Sequence, residues 1–255
     1  MAAIDPVFRR DKFLLRQKLL SISEKYDVCD EQGNPILFIE RPLHFWRNLL
    51  AVLAGVGTGI ILIVVLAAIA SILPKTLPEA LAIVLALVAA TVWFFAMVVV
   101  SVNLSKKRHV TIYRDASKQD PLIKILQDKK WELLTATFTV RDDRGDLATF
   151  QKHYLYDLFR KRWNCYAPDG VLICVAKEDS LAMALIRRLL GPMFGLLRTH
   201  FIICEGNTDR VVGEFNRNFT LLDRYVLDMS GDPNHCVDRR IAIALGVMLD
   251  TGERR

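Results

Sequence analysis

Two long runs without a single charge interrupt a sequence that is otherwise polar and alternating, and they constrain the fold more than any other feature. The first runs from Leu49 to Leu73 and the second from Ala80 to Val102. Each holds well over the ~20 residues that carry an α-helix across a hydrocarbon core. Soluble helices of this length keep a polar face, and neither run has one. From Phe45 to Leu104 the only charged residues are Arg47, Lys75 and Glu79. The pattern predicts a transmembrane helical hairpin, turned at Pro74 and Pro78. Arg41 and Arg47 precede the first run, and Lys106, Lys107 and Arg108 follow the second. Positive-inside bias then predicts an integral membrane protein with two spans, both termini on the cytoplasmic side and the short turn outside. No ionisable residue lies in the middle of either run, which argues against a proton relay there. Gly55 and Gly59 form a GxxxG with Ala51 on the same face, so backbones can approach closely there. That face suits either packing within one hairpin or a homo-oligomer.

The remaining sequence is of ordinary soluble composition. The 52% hydrophobic content of the 255-residue chain is inflated by the two runs. About 190 residues lie outside them, enough for one good core. The net charge of +6 is scattered among many acids. It suits a membrane surface and predicts no nucleic-acid partner. The five cysteines, Cys29, Cys165, Cys174, Cys204 and Cys236, are odd in number and never form CxxC. Reduced, mostly buried thiols are the expectation. The N-terminal stretch with Arg9, Arg10, Lys12, Arg16 and Lys18 contains no apolar core of signal length before Tyr26.

Outside the hairpin a strand, turn, strand theme recurs. Tyr26 to Glu40 reads as two strands around Asp30-Glu31-Gln32-Gly33-Asn34-Pro35. The text from His109 to His153 alternates and breaks at Asp-rich or Gly turns. Arg162 to Asp179 turns at Pro168-Asp169-Gly170, and Thr199 to Phe215 turns at Gly206-Asn207. Such repetition predicts an antiparallel meander closing into a barrel. Two segments break the theme. Ser180 to Leu197 reads as a helix stopped by Gly191-Pro192. Near the end, Asp238 can cap a helix whose residues Ile241 to Leu249 are apolar on every side. At 1.5 Å per residue that helix is only ~14 Å long, too short to cross a bilayer, so burial on all sides is predicted.

These hairpins and the all-apolar last helix, in this order, resemble the tubby C-terminal-like superfamily, which includes phospholipid scramblases and LURP-one-related proteins. The residues that carry the resemblance are SISEKYDVCDEQGNPILFIE, RWNCYAPDGVLICVAKED and FNRNFTLLDRYVLDMSGDPNHCVDRRIAIALGVMLD. The resemblance implies a mainly β fold: a closed antiparallel barrel of about 12 strands around a buried C-terminal helix. The transmembrane α-helical hairpin would be an insertion between two strands. The domains expected are residues 1–44 with 105–255 for the barrel and 45–104 for the hairpin.

No nucleophile elbow, P-loop, HExxH or GxGxxG occurs, and His44, His109, His153, His200 and His235 are dispersed. The expectation is that the protein is not an enzyme and has no catalytic residue and no cofactor. Calcium-dependent scramblases carry an acidic segment before the last helix, and the calcium candidates here are Asp223, Asp228 and Asp232. Their spacing is too wide for one loop to use them all, so turn and cap aspartates are the preferred reading. Lipid contact has better candidates. Arg160, Lys161 and Arg162, with Lys152, read as a basic connection. Arg187, Arg188 and Arg198 bracket an apolar run containing Phe194. Basic residues beside exposed apolar ones suit an anionic lipid interface. A solvated loop for the first group and a lid over the barrel mouth for the second are the alternatives. The function expected is that of a membrane-anchored scramblase- or tubby-like barrel that binds lipid or organises partners at the cytoplasmic lipid interface. The alternative is a phospholipid scramblase.

Overall fold

A computed structural model describes residues 5–17, 24–42, 45–72, 79–104, 106–107, 109–130, 132, 134–154, 161–179, 200–218 and 224–251. The chain divides into two compact units. One is made of residues 1–43 and 108–255, the other of residues 44–107.

The larger unit is a closed antiparallel barrel of twelve strands. They are β1 (Lys12–Gln17), β2 (Glu24–Cys29), β3 (Pro35–Arg41), β4 (Val110–Tyr113), β5 (Pro121–Gln127) and β6 (Thr135–Arg141). The ring continues with β7 (Asp146–His153), β8 (Arg162–Tyr166), β9 (Leu172–Glu178), β10 (His200–Glu205), β11 (Val211–Asn218) and β12 (Arg224–Asp228). Each strand pairs with the next in sequence, and β1 closes the ring against β12 through Phe13↔Leu227 and Leu15↔Tyr225. Closure leaves no strand edge exposed, which removes the usual route to edge-to-edge aggregation. The strands β3 and β4 are direct neighbours, with Phe38↔Tyr113 and Glu40↔Thr111 opposed, although the second unit lies between them in sequence.

Alternation decides which side chains point inward. In β6, Ala136, Phe138 and Val140 are buried while Thr135, Thr137 and Thr139 are half-buried. In β7 the inward set is Ala148, Phe150 and Lys152. Phe138 packs on Trp163 with ring centroids 5.8 Å apart, and Phe215 stacks on Tyr225 at 5.2 Å. Each such fully buried apolar side chain contributes roughly 1.5–3 kcal/mol. The tight turns need their glycines. Gly33 has φ +90° between β2 and β3, and Gly170 has φ +87° between β8 and β9, where a side chain would be strained. Asp30 sets the first of these turns by accepting from the Asn34 amide at 2.8 Å.

The last helix of the described residues, α3 (Arg239–Thr251), begins at Asp238, which accepts from the Arg240 amide at 2.8 Å. Ile241 to Leu249 are all buried and share one apolar cluster with the inward residues of the strands. The strand β1, which closes the ring, was not legible as a strand in the sequence. Its basic residues at Lys12 and Arg16 mask an inward pair, Phe13 and Leu15.

The second unit is a pair of helices, α1 (Phe45–Ile72) and α2 (Glu79–Leu104). Both are long and apolar enough to cross a membrane, over Trp46–Val65 and Ile83–Leu104. Ala51 is buried at 2% exposure, while Trp46, Ile61 and Phe95 are all at least 60% exposed. A side-chain carbon at Gly55 would collide with Ser101 Oγ and lie 2.7 Å from the Met97 carbonyl oxygen. At Gly59 it would collide with the Trp93 indole. The Ala51, Gly55 and Gly59 face is therefore taken up within the hairpin itself.

Candidate functional site

The meander gives the barrel two unlike ends. At one end lie the connections β2–β3, β4–β5, β6–β7, β8–β9 and β10–β11, each of four to seven residues and described throughout. At the other end lie the connections β5–β6, β7–β8 and β9–β10, and the departure and return of the chain at Arg41 and Val110. The end that gives rise to the hairpin is the candidate site, because the described basic residues singled out in the sequence, Lys152, Lys161 and Arg162, lie at strand ends there.

Lys161 immediately precedes β8, Arg162 is its first residue, and Trp163 is fully buried. Arg162 is exposed, and its Nε donates to Asn164 Oδ1 at 2.9 Å. Lys152 is not part of a connection, contrary to the expectation. It is the inward-facing third residue of the series Ala148, Phe150, Lys152 and is buried at 6% exposure. Its ammonium sits 5.3 Å from the Trp163 ring centroid and 5.9 Å from that of Tyr154. The strand period of two carries Lys152 inward, and the aromatic faces offset part of the cost of its desolvation. Arg160, Arg187, Arg188, Phe194, Arg198 and Asp223 lie outside the described residues, as does the helix expected from Ser180.

Lys152 belongs to a polar layer that the sequence did not disclose. At the same end Arg41 and Glu178 are buried inward-facing tips of β3 and β9, at 5% and 3% exposure. The α3 terminus meets this layer. Tyr26 donates its hydroxyl to Asp250 Oδ2 at 2.5 Å, a charge-assisted distance, and Arg41 donates to the Thr251 carbonyl at 2.8 Å. A carboxylate at a helix C-terminus is disfavoured by the helix dipole, and Arg41 supplies the compensating charge to that terminus. Only the period-two count from known strand registers could have exposed these residues, since none sits in a recognisable motif.

At the opposite end α3 starts in a second buried polar cluster. The Arg239 guanidinium donates to Asp232 Oδ2 at 2.9 Å, to Asp11 Oδ1 at 2.6 Å and to the carbonyls of Val237 and Asp232. Asp232 also accepts from the amides of Cys236 at 3.0 Å and Val237 at 2.9 Å. Desolvation pushes the Asp232 carboxyl up, but the amides and Arg239 outweigh it and hold it below the usual carboxylate range. Asp228 accepts from the Ser230 amide at 2.9 Å and lies 3.3 Å from Lys12 Nζ. These two calcium candidates serve as turn and cap carboxylates. No group of three metal-type side chains gathers among the described residues.

Cys165 and Cys174 face each other across β8 and β9. Their mutual hydrogen bond, then burial, raises the Cys165 thiol well above its ordinary value. Cys29, Cys165, Cys174 and Cys204 are buried and unpaired by disulfides, and Cys236 alone of the five is exposed. No family model, curated protein or solved structure matches this chain.

Proposed function

We propose that this protein is a membrane-anchored β-barrel that works at the cytoplasmic lipid interface, binding lipid or organising partners there. The observation that carries the reading is the place of the insertion. Two apolar helices of spanning length separate β3 from β4, which are hydrogen-bonded neighbours. Only residues 42–44 and 105–109 join the strands to the helices. At ~3.5 Å per extended residue, neither link reaches beyond about 20 Å. A barrel joined through such short links to helices that cross a bilayer stays tethered to that bilayer.

The basic flanks Arg47, Lys106 and Lys107 favour the cytoplasmic side. Lipid transport by the hairpin itself has less support. Thr58, Thr91 and Asn103 donate to carbonyls of their own helix, at Ala54, Leu87 and Val99, rather than to a polar path between the helices.

Impermeant maleimide labelling in intact cells tests the reading. A cysteine placed at Thr76 should react from outside, whereas native Cys236 should react only after permeabilisation. Cys236 is the informative native thiol, because Cys165 and Cys204 are buried and would stay silent in either orientation. Reaction of Cys236 from outside, or extraction of the protein from membranes by alkaline carbonate, would overturn it. A vesicle flip assay should show no lipid transport above protein-free vesicles with or without calcium.

A further inference from the structure

The hairpins β2–β3, β4–β5, β6–β7, β8–β9 and β10–β11 each have a register slip near their turn. In four of them the inward pair just before the slip carries no sulfur: Val28–Leu37, Ile112–Ile123, Val140–Ala148 and Ile203–Gly213. In β8–β9 the same place holds Cys165 opposite Cys174, and both are fully buried. The two thiols share a hydrogen bond. The fold does not call for sulfur at this position, yet here it sets two thiols in contact. The registers give the other strand cysteines different neighbours. Cys29 opposes Leu14 and Pro35, and Cys204 opposes Val175 and Val211.

We infer that Cys165 and Cys174 form a redox site, which a peroxide oxidises to a cross-strand disulfide that staples β8 to β9 and which cellular thiols reopen. Directly opposed residues of an antiparallel pair have Cα atoms about 4.5–5.5 Å apart, inside the ~4.4–6.8 Å that a disulfide bridges. The thiolate of one cysteine attacks hydrogen peroxide, giving a sulfenic acid and hydroxide, and the hydroxide takes up the proton that the thiol released. The second thiol sulfur then displaces the sulfenic oxygen, which leaves with that thiol's proton as water. Two thiols and one peroxide become one disulfide and two waters. At rest the pair is guarded, because the shared hydrogen bond and burial keep the Cys165 thiol protonated. Access comes from the turn. Pro168, Asp169 and Gly170 are exposed, and the slip between Cys165 and Tyr166 interrupts the ladder beside them, so this hairpin opens from its tip toward the thiols. Cβ atoms of opposed residues lie about 4.5–5.5 Å apart, slightly beyond the ~4 Å a disulfide prefers. Closing the bond therefore pulls the strands together, and that strain keeps it easy to reduce. Both sulfurs belong to the apolar cluster that α3 shares, so the staple fixes a part of the wall that packs on the core.

The test uses the full chain with Cys236→Ser, which removes the exposed thiol and leaves four cysteines. The folded protein is treated with excess hydrogen peroxide, quenched with catalase, then denatured in N-ethylmaleimide and mapped by mass spectrometry. Alkylation should fall from four cysteines to two, Cys29 and Cys204, with a peptide cross-link joining Cys165 to Cys174. Reduced glutathione added before denaturation should restore all four. Amide hydrogen exchange in β8 and β9 should slow about tenfold in the oxidised protein, since the staple suppresses opening of the hairpin. Cys165→Val, which installs the residue found at the matching place in β6, should leave its three remaining cysteines alkylated after the same treatment and its exchange unchanged by peroxide. Four cysteines still alkylated after peroxide overturns the inference. So does loss of alkylation at Cys29 or Cys204 in place of the pair, or sulfinic acid at Cys165 or Cys174 without the cross-link.

Discussion

The residues with most at stake are the buried ions at the two ends of α3. Arg239 and Asp232 side chains are 2% and 0% exposed, so removing Asp232 leaves a buried guanidinium that only Asp11, at the cluster's edge, compensates among the described residues. Asp232→Ala should therefore cost about 3–5 kcal/mol, read as a large drop in the thermal midpoint of the detergent-solubilised protein. A midpoint within a degree of the parent would mean the cluster is not holding the helix. The pH dependence follows from the lowered Asp232 carboxyl. A carboxyl held below its unfolded value adds stability that is present above the unfolded pKa of ~4 and is lost as pH falls through the folded value. Thermal midpoints should hold from neutrality to about pH 5 and fall below it, and Asp232→Asn should flatten that fall. Cys236 gives a second pH signal. Desolvation, then the carboxylates of Glu205 and Asp232, raise its thiol. Alkylation should be slow at neutral pH and climb steeply with alkali, with Glu205→Gln accelerating it at neutral pH. A rate already saturated at neutrality would contradict the raised thiol.

At the scale of elements, α3 and the hairpin make opposite demands. Leu245 is fully buried, and Gly246 lies against Phe215 and Leu227. A carboxylate at Leu245 has no partner within reach of an apolar neighbourhood, so Leu245→Asp should unfold the barrel. The cost of several kcal/mol is comparable to the whole stability of a domain, roughly 5–15 kcal/mol. Loss of cooperative β circular dichroism is the readout. Retention of a folded barrel would remove α3 from the core. The hairpin depends instead on two positions without side chains. Gly59→Leu places bulk against the Trp93 ring. It should separate the helices while leaving the barrel melting transition in place, which pulse proteolysis in detergent can follow for each unit.

For the whole molecule, the antiparallel pairing of β3 with β4 is the decisive feature. Strands so paired need only a short loop between them, as the five turns at the opposite end of the barrel show. Replacing residues 45–104 by a short Gly/Asn linker should yield a soluble, cooperatively folding β-protein. Aggregation at every linker length tried would show that the helices supply part of the barrel's stability.

Some of this is a matter of local chemistry and was legible in the chain. Charge-free runs of spanning length, glycines at Gly33 and Gly170 where φ is positive, alternating strands and the Asp238 cap each act over a few neighbouring residues. The sequence alone therefore determined the barrel-like meander, the paired apolar helices and their position between two strands. It could not determine β1, whose inward pair is hidden between basic residues and whose partner β12 is about two hundred residues away. Nor could it disclose the buried layer of Tyr26, Arg41, Lys152, Glu178 and Asp250, or the Arg239 cluster with Asp11 and Asp232. Those groups meet only when the ring closes, because burial and charge compensation depend on which distant strands lie side by side. Local pattern set each strand's inward face, and closure of the ring decided which of those faces met.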